Sequence, residues 1–320
     1  MSHISRIQRA GRNKEGVMNL KKLKWTPLFI CMIAFAAFTS ACGIQSEITI
    51  GTQTYTETKI IAEMYKALIE DQTDLKVDVI PDLASSSLVI NAMKRNDVQM
   101  ATLYTGEIFN NHFPISGTKD RDKVLKEAQD GFQEHFGFTW MNPLGFENTY
   151  AFTVRKDLAE ANGYTKISDV KKDMDTMKLG VDTTWLERST DGYPAFSKAY
   201  DIKFGQVFPM EISLVYSAVA NEQVDIVLAY STDSRLKAYQ LQTLQDDQQF
   251  FPPYDASPVL RSDLLKKHPE IQDTIAPLIG HLDADTMISL NYQVDIEKKS
   301  EREVAIAFLK EQGLLKAKGG

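Results

Sequence analysis

Two ten-residue segments align without a gap. In the first, Val98-Gln99-Met100-Ala101-Thr102-Leu103 runs into Tyr104-Thr105-Gly106-Glu107; in the second, Val224-Asp225-Ile226-Val227-Leu228-Ala229 runs into Tyr230-Ser231-Thr232-Asp233. Each apolar run has strand length and β-branched character and is bounded by a small-residue turn. Each therefore predicts a buried strand whose C-terminal end presents a tyrosine, a hydroxyl and an acid. Open α/β sheets bind ligands outside such ends. The pair predicts either two lobes that each bring one edge to a shared cleft, or two ordinary core strands that both end in tyrosine.

The flanking chain extends the pattern. Glu47 to Gly51 reads as a strand, and Thr54-Tyr55-Thr56-Glu57 has capping-box spacing for a helix whose apolar face is Ile60, Ile61, Met64, Ala67 and Leu68. Leu75 to Val79 reads as a strand, Ser86 to Arg95 as a helix, and Val98 to Leu103 as a strand, giving a βαβαβ order. Such alternation implies a parallel sheet with helices on both faces. Gly145 to Val154 reads as extended. A second series follows: strand Lys178–Asp182, helix Tyr193–Tyr200, a strand near Val207, helix Ser213–Asn221 and strand Val224–Tyr230. The stretch from Phe250 to Pro258 holds Pro252, Pro253 and Pro258, which forbid a helix and a central strand and predict an extended crossing or a tight loop. The remainder reads as helical: Ser262–His268, Glu270–Ile279, Asp283–Leu290 and Glu301–Gly313.

These signals place residues 42–147 and 253–320 in lobe 1 and residues 148–252 in lobe 2. The chain crosses twice between them, and a paired crossing lets two lobes close by small backbone rotations. At the N-terminus, Lys21, Lys22 and Lys24 precede the apolar run Trp25 to Phe38 and then Thr39-Ser40-Ala41-Cys42. A basic region, a short apolar core and small residues form a secretory signal over residues 1–41, too short for a comfortable membrane span. Residues 1–17 are polar and basic, and Met18 is an alternative start. The small residues before Cys42 match a bacterial lipoprotein cleavage site, with Thr39 where leucine is usual. Lipid on Cys42 would tether the protein to the extracytoplasmic face of the cell membrane. The other cysteine, Cys31, lies inside the signal, so disulfides and thiolate metal sites are excluded from the folded part.

Residues 1–41 carry seven of the 36 Lys and Arg residues and one of the 43 Asp and Glu residues, leaving a formal charge of −13. That balance opposes nucleic acid and anionic lipid as ligands and mildly favours a cation, though solubility alone also accounts for it. His112, His135, His268 and His281 show no metal-ligand spacing, and neither a GxSxG elbow nor a glycine-rich phosphate loop occurs. No catalytic residue, metal or cofactor is expected, although a secreted α/β enzyme remains the reading of another class. Tyrosine carries more signal, because Tyr104, Tyr150, Tyr230 and Tyr254 all fall at strand ends or crossings. Quaternary ammonium, which has no N–H to donate, is held by the faces of aromatic rings. At ~0.5–2 kcal/mol per ring, four rings supply about 2–8 kcal/mol, so methyl burial and polar contacts must add to reach the ~8 kcal/mol of micromolar binding.

Gln53, Tyr104-Thr105-Gly106, Asn148-Thr149-Tyr150-Ala151-Phe152, Leu179-Gly180-Val181-Asp182, Trp185-Leu186-Glu187-Arg188, Asp191-Gly192-Tyr193, Leu228 to Asp233 and Phe250-Phe251-Pro252-Pro253-Tyr254 resemble the substrate-binding lipoproteins of bacterial ABC importers for glycine betaine, carnitine and choline. The likeness spans Ile48 to Leu315. It implies a two-lobed Venus-flytrap α/β fold of type II that hands osmoprotectants to a membrane permease. It also implies an aromatic cage at Tyr104, Tyr150, Tyr230 and Tyr254, with Gln53 at the ligand's other end. One position departs: three residues after the first cage tyrosine, where the family often has Thr or Asp, stands Glu107. It either faces the cleft and, when ionised, attracts an ammonium and repels a ligand carboxylate, or turns outward or caps the next helix and leaves selectivity untouched. The same architecture also serves amino acids, for which Arg188 and Arg235 are the candidate carboxylate partners.

Overall fold

The computed structural model describes residues 47–187 and 192–316. The expected signal, Cys42 and Arg188 lie outside the described residues. The chain runs β1 (Ile48–Gly51), α1 (Thr56–Gln72), β2 (Val77–Ile80), α2 (Ser86–Lys94), β3 (Met100–Tyr104), a 3-10 turn (Thr105–Asn110), α3 (Arg121–Phe136) and β4 (Phe138–Trp140). There follow β5 (Tyr150–Arg155), α4 (Lys156–Asn162), β6 (Lys178–Asp182), α5 (Thr183–Glu187), α6 (Tyr193–Tyr200), β7 (Gln206–Met210), α7 (Ile212–Ala220), β8 (Ile226–Tyr230), α8 (Ser234–Ala238) and β9 (Leu241–Thr243). The chain then returns through β10 (Ala256–Arg261), α9 (Ser262–Lys267), α10 (Glu270–Ile275), α11 (Ala284–Asp295) and α12 (Glu301–Glu311).

The strands form two sheets of the same layout, β2-β1-β3-β10-β4 and β7-β6-β8-β5-β9. In each, three strands of an α/β series lie parallel, and an antiparallel strand arriving from the other half of the chain pairs with the third: β10 with β3, and β5 with β8. The sheets are thus mixed, because each segment that crosses between them enters as a strand running against β3 or β8. The aligned segments of the sequence are these two central strands. Successive side chains of a strand point to opposite faces. Accordingly Met100 and Tyr104 join one core of the first sheet while Ala101 and Leu103 join the other, and Ile226 and Leu228 pack opposite Val227 and Ala229 in the second. Helices cover both faces of each sheet, so β3 and β8 are buried along almost their whole length.

Two expectations are corrected. The proline-rich stretch does contain a central strand, since β10 lies between β3 and β4 with Pro258 opposite Thr102. N–H and C=O of one strand residue point the same way, and the Pro258 carbonyl accepts from Met141 N at 3.0 Å, just beyond the end of β4. The donor that proline lacks therefore faces a place where the ladder has already stopped. Thr54 and Glu57 do not form a capping box: the N-cap of α1 is Tyr55, without a side-chain bond, and Glu57 is turned inward. Helix α3 falls where the sequence reading assigned nothing. It is bounded by Asp120, whose side chain accepts from Lys123 N, and by Gly137 at φ 68°.

Between the sheets the two crossings lie side by side. Glu147 and Asp255 form an antiparallel bridge, Asn148 N donates to Tyr254 O at 3.1 Å, and Ala256 N donates to Phe146 O at 3.0 Å. Arg121 grips the Asp255 carboxylate with both Nε and Nη2, which anchors the second crossing to α3.

Candidate functional site

A cavity of about 450 Å³ opens where the C-terminal ends of β3 and β8 meet the crossings. That volume lies within the range of small-molecule sites, roughly 300–1,000 Å³. Its aromatic wall is Tyr55, Tyr104, Tyr150, Tyr230, Tyr254 and Phe251. Four of these are the tyrosines singled out from sequence, and the structure brings them together. Tyr104 ends β3 and is buried; Tyr150 opens β5 and Tyr230 ends β8 as its direct cross-strand partner. Their rings stack at 5.3 Å between centroids, and Phe251 closes on Tyr150 at 6.0 Å. Tyr150 therefore belongs to a strand of the second sheet, although its sequence position suggested a crossing. Tyr254 does lie in a crossing, packed over Gly106: a Cβ built on that glycine would fall onto the Tyr254 ring.

Glu107 lines the cavity from the first turn of the 3-10 segment and is almost fully buried. Its Oε2 accepts from Asn110 Nδ2 at 2.9 Å and stands 3.6 Å from His112 Nε2. Gln53 does not reach the cavity wall. It is fully buried behind it, with Nε2 donating to Thr102 O at 3.3 Å and to the cavity-lining Ser86 Oγ at 3.5 Å. Arg235 also stays off the wall, because it forms a two-point pair with Asp233 and its guanidinium lies 3.9 Å from the centre of the Tyr216 ring.

The residue that sequence reasoning missed is Glu57. It sits in the first turn of α1, where the positive end of the helix dipole favours an acid, and it is 2% exposed. Its Oε1 accepts from the Tyr104 hydroxyl and from Asn148 Nδ2 at 2.8 Å, and its Oε2 accepts from Thr232 Oγ1 at 2.6 Å. Three donors converge on one carboxyl, the arrangement an ionised acceptor requires. Burial pushes its pKa up and the hydrogen bonds pull it back. The Tyr104 hydroxyl is pushed up strongly, first by burial and then by the charge of Glu57. Thr232 is held in turn, since its carbonyl accepts from Asn291 Nδ2 of α11 at 2.9 Å. The signal for Glu57 was present in the sequence as an acid in a helix's first turn, but that position also describes a surface cap.

The described lining carries four acids, Glu57, Glu107, Asp233 and Asp295, and no lysine, arginine or histidine. The wall therefore combines ring faces with hydroxyl, amide and carboxyl groups, all of its described charge negative, and suits a small cation with methyl groups. Among the described residues, no group of three or more His, Cys, Asp or Glu could hold a metal, and no helix is long and apolar enough to cross a membrane.

Residues 46–311 match the family model of the substrate-binding domain of ABC-type glycine betaine transport systems. The chain belongs to this family. It is 40% identical to the carnitine transport binding protein OpuCC of Listeria monocytogenes, over 93% of this chain and 99% of the relative. It is 32% identical to a glycine-betaine-binding protein of Pseudomonas aeruginosa, over 89% and 94%. Among solved structures, that of a glycine betaine/carnitine/choline ABC transporter protein superposes with a TM-score of 0.81 at 38% identity, covering 84% of this chain and 99% of that one. The two-lobed binding-protein fold read from the sequence follows from these matches. The chain is a transport protein and not an enzyme, an extracytoplasmic component of an importer that binds a small molecule and partners with a membrane permease.

Proposed function

We propose that the chain captures small quaternary ammonium osmoprotectants, choline, glycine betaine and carnitine, between its lobes and releases them to the permease. The observation that carries this reading is the cavity wall itself, with six aromatic rings, four acids and no basic residue among those described. The ammonium head sits against Tyr104, Tyr150, Tyr230 and Tyr254, and Glu107 faces the ligand's polar end. Gln53 acts at one remove, by orienting Ser86. Arg235, a candidate partner for the α-carboxylate of a free amino acid, is already committed to Asp233 and stays off the cavity wall. The names borne by the OpuCC and Pseudomonas relatives, carnitine and glycine betaine, belong to the same ligand class.

The lobes, residues 42–147 with 253–320 and residues 148–252, rotate about the paired crossings, and lipid on Cys42 holds the protein at the outer face of the membrane. Two acyl chains give stable anchoring where one does not. A binding partner raises the melting temperature according to its affinity, by about 2.7 kcal/mol of stability at a hundredfold excess over Kd. Melting curves with choline, glycine betaine, carnitine and the common amino acids are expected to shift for the first three alone. A shift with an amino acid and none with the quaternary compounds refutes the reading. Replacement of Cys42 with Ala is expected to release the protein from membranes, and retention refutes the anchor.

A further inference from the structure

Glu57 is spatially central yet touches no position that the resemblance assigns to the ligand, apart from Tyr104. Its two oxygens serve different halves of the molecule. Oε1 takes the hydroxyl of Tyr104, from the sheet of β3, and the amide of Asn148, from the first crossing; Oε2 takes the hydroxyl of Thr232, immediately after β8 of the other sheet. A single carboxylate thus joins a cage ring, a crossing and the opposite lobe. Each donor is neutral, so no cation of the protein compensates the charge through these bonds. A hydroxyl that donates to a carboxylate makes its ring richer in electrons, and the low local dielectric strengthens that polarisation.

We propose that Glu57 is a positioning residue for cation capture: its carboxylate fixes and polarises Tyr104 from behind while latching Thr232, so that lobe closure and the negative face of the cage depend on one side chain. This rests on the reading of the cleft as a quaternary ammonium site. Thr232 leaves Oε2 when the lobes part, and its return on closure completes the set of donors around the charge. A cation arriving on the far face of Tyr104 is the missing partner of that charge.

The test titrates the full chain with choline and with 3,3-dimethylbutan-1-ol, its neutral isostere of the same shape, and reads the ratio of the two affinities. A residue that only shapes the site changes both equally and leaves the ratio alone. Glu57→Gln is expected to narrow the ratio by about tenfold or more, since hydrogen bonds to a charged group are worth roughly twice those between neutral ones. Thr232→Val is expected to weaken both ligands by a similar factor. Melting temperatures without ligand establish that each variant is folded; if Glu57→Gln is not, Tyr104→Phe takes its place and must also narrow the ratio. An unchanged ratio in the folded variant, or unchanged affinities in Thr232→Val, overturns the proposal while leaving the ligand class standing. A wild type that binds choline no better than the neutral isostere overturns the ligand class and the proposal with it.

Discussion

Tyr150 and Tyr230 stand directly opposite each other in the β5–β8 pair, with rings 5.3 Å apart at 22°. Cross-strand aromatic pairs support one another, so truncating either ring leaves its neighbour free to tilt. Tyr150→Ala and Tyr230→Ala are each expected to weaken choline by a factor of about 2 to 30, the worth of one ring. The double variant should depart from additivity by about 0.5 kcal/mol or more, which a double-mutant cycle of titrations measures. Additive losses would mean that each ring meets the ligand independently.

At Gly106 the backbone runs close against a cage ring. A Cβ there would fall onto the Tyr254 ring, which must then shift toward the cavity or away from it. Gly106→Ala is expected to weaken choline more than Tyr254→Phe does, although residue 106 presents no side chain to the ligand. Titration of the two variants compares them directly. Gly106 has an ordinary negative φ, so the effect comes from space and not from backbone strain.

Glu107 bears on ligand choice. Like charges about 5 Å apart at an effective dielectric near 20 repel by roughly 3 kcal/mol, enough for about a hundredfold preference. Choline, with a hydroxyl, is expected to bind more tightly than glycine betaine, with carnitine between them. Glu107→Thr should weaken choline and strengthen glycine betaine, read as the ratio of their dissociation constants. His112, 3.6 Å from the same carboxylate, reduces the effect when protonated.

Burial holds the Glu57 carboxyl above the ordinary carboxylate range, against the pull of its hydrogen bonds. With the folded value raised, the stability this group lends the ligand-free protein is fully present below the unfolded pKa and is lost as pH rises through the folded value, where the buried carboxyl must ionise. Cation affinity runs the opposite way and falls on acidification, as the charge behind Tyr104 is neutralised. Tyr55 and Tyr104 are both raised and stay protonated throughout. Glu107 with His112 beside it, Asp233 with Arg235, and Asp295 are the other titratable groups at the cavity. Choline titrations between about pH 4 and 8 should therefore show a steeper loss in wild type than in Glu57→Gln.

Much of this architecture was legible because it rests on local patterns. Val98–Tyr104 and Val224–Tyr230 are buried on both faces, so their apolar runs are continuous and their ends conspicuous. The helices α1, α2 and α7 show their period. What was hidden depends on partners distant in sequence. Pro258 is admissible in a central strand only because β4 ends beside it, a fact of register that no local rule contains. Glu57 reads as a cap until Thr232 is seen 2.6 Å away, 175 residues later in the chain. Gln53, assigned to the ligand by resemblance, lies one layer back because Ser86 stands in front of it. Helix α3 had its Asp120 and Gly137 signals, but its buried stripe is only Val124, Ala128 and Phe132, too sparse to stand out by period.

The central claim is that aromatic faces recognise a quaternary ammonium head, and tetramethylammonium isolates that head, with neither hydroxyl nor carboxylate. Calorimetric titration of the wild-type protein with tetramethylammonium is expected to show saturable binding that choline displaces. Absence of binding, or binding that choline does not displace, would contradict the account.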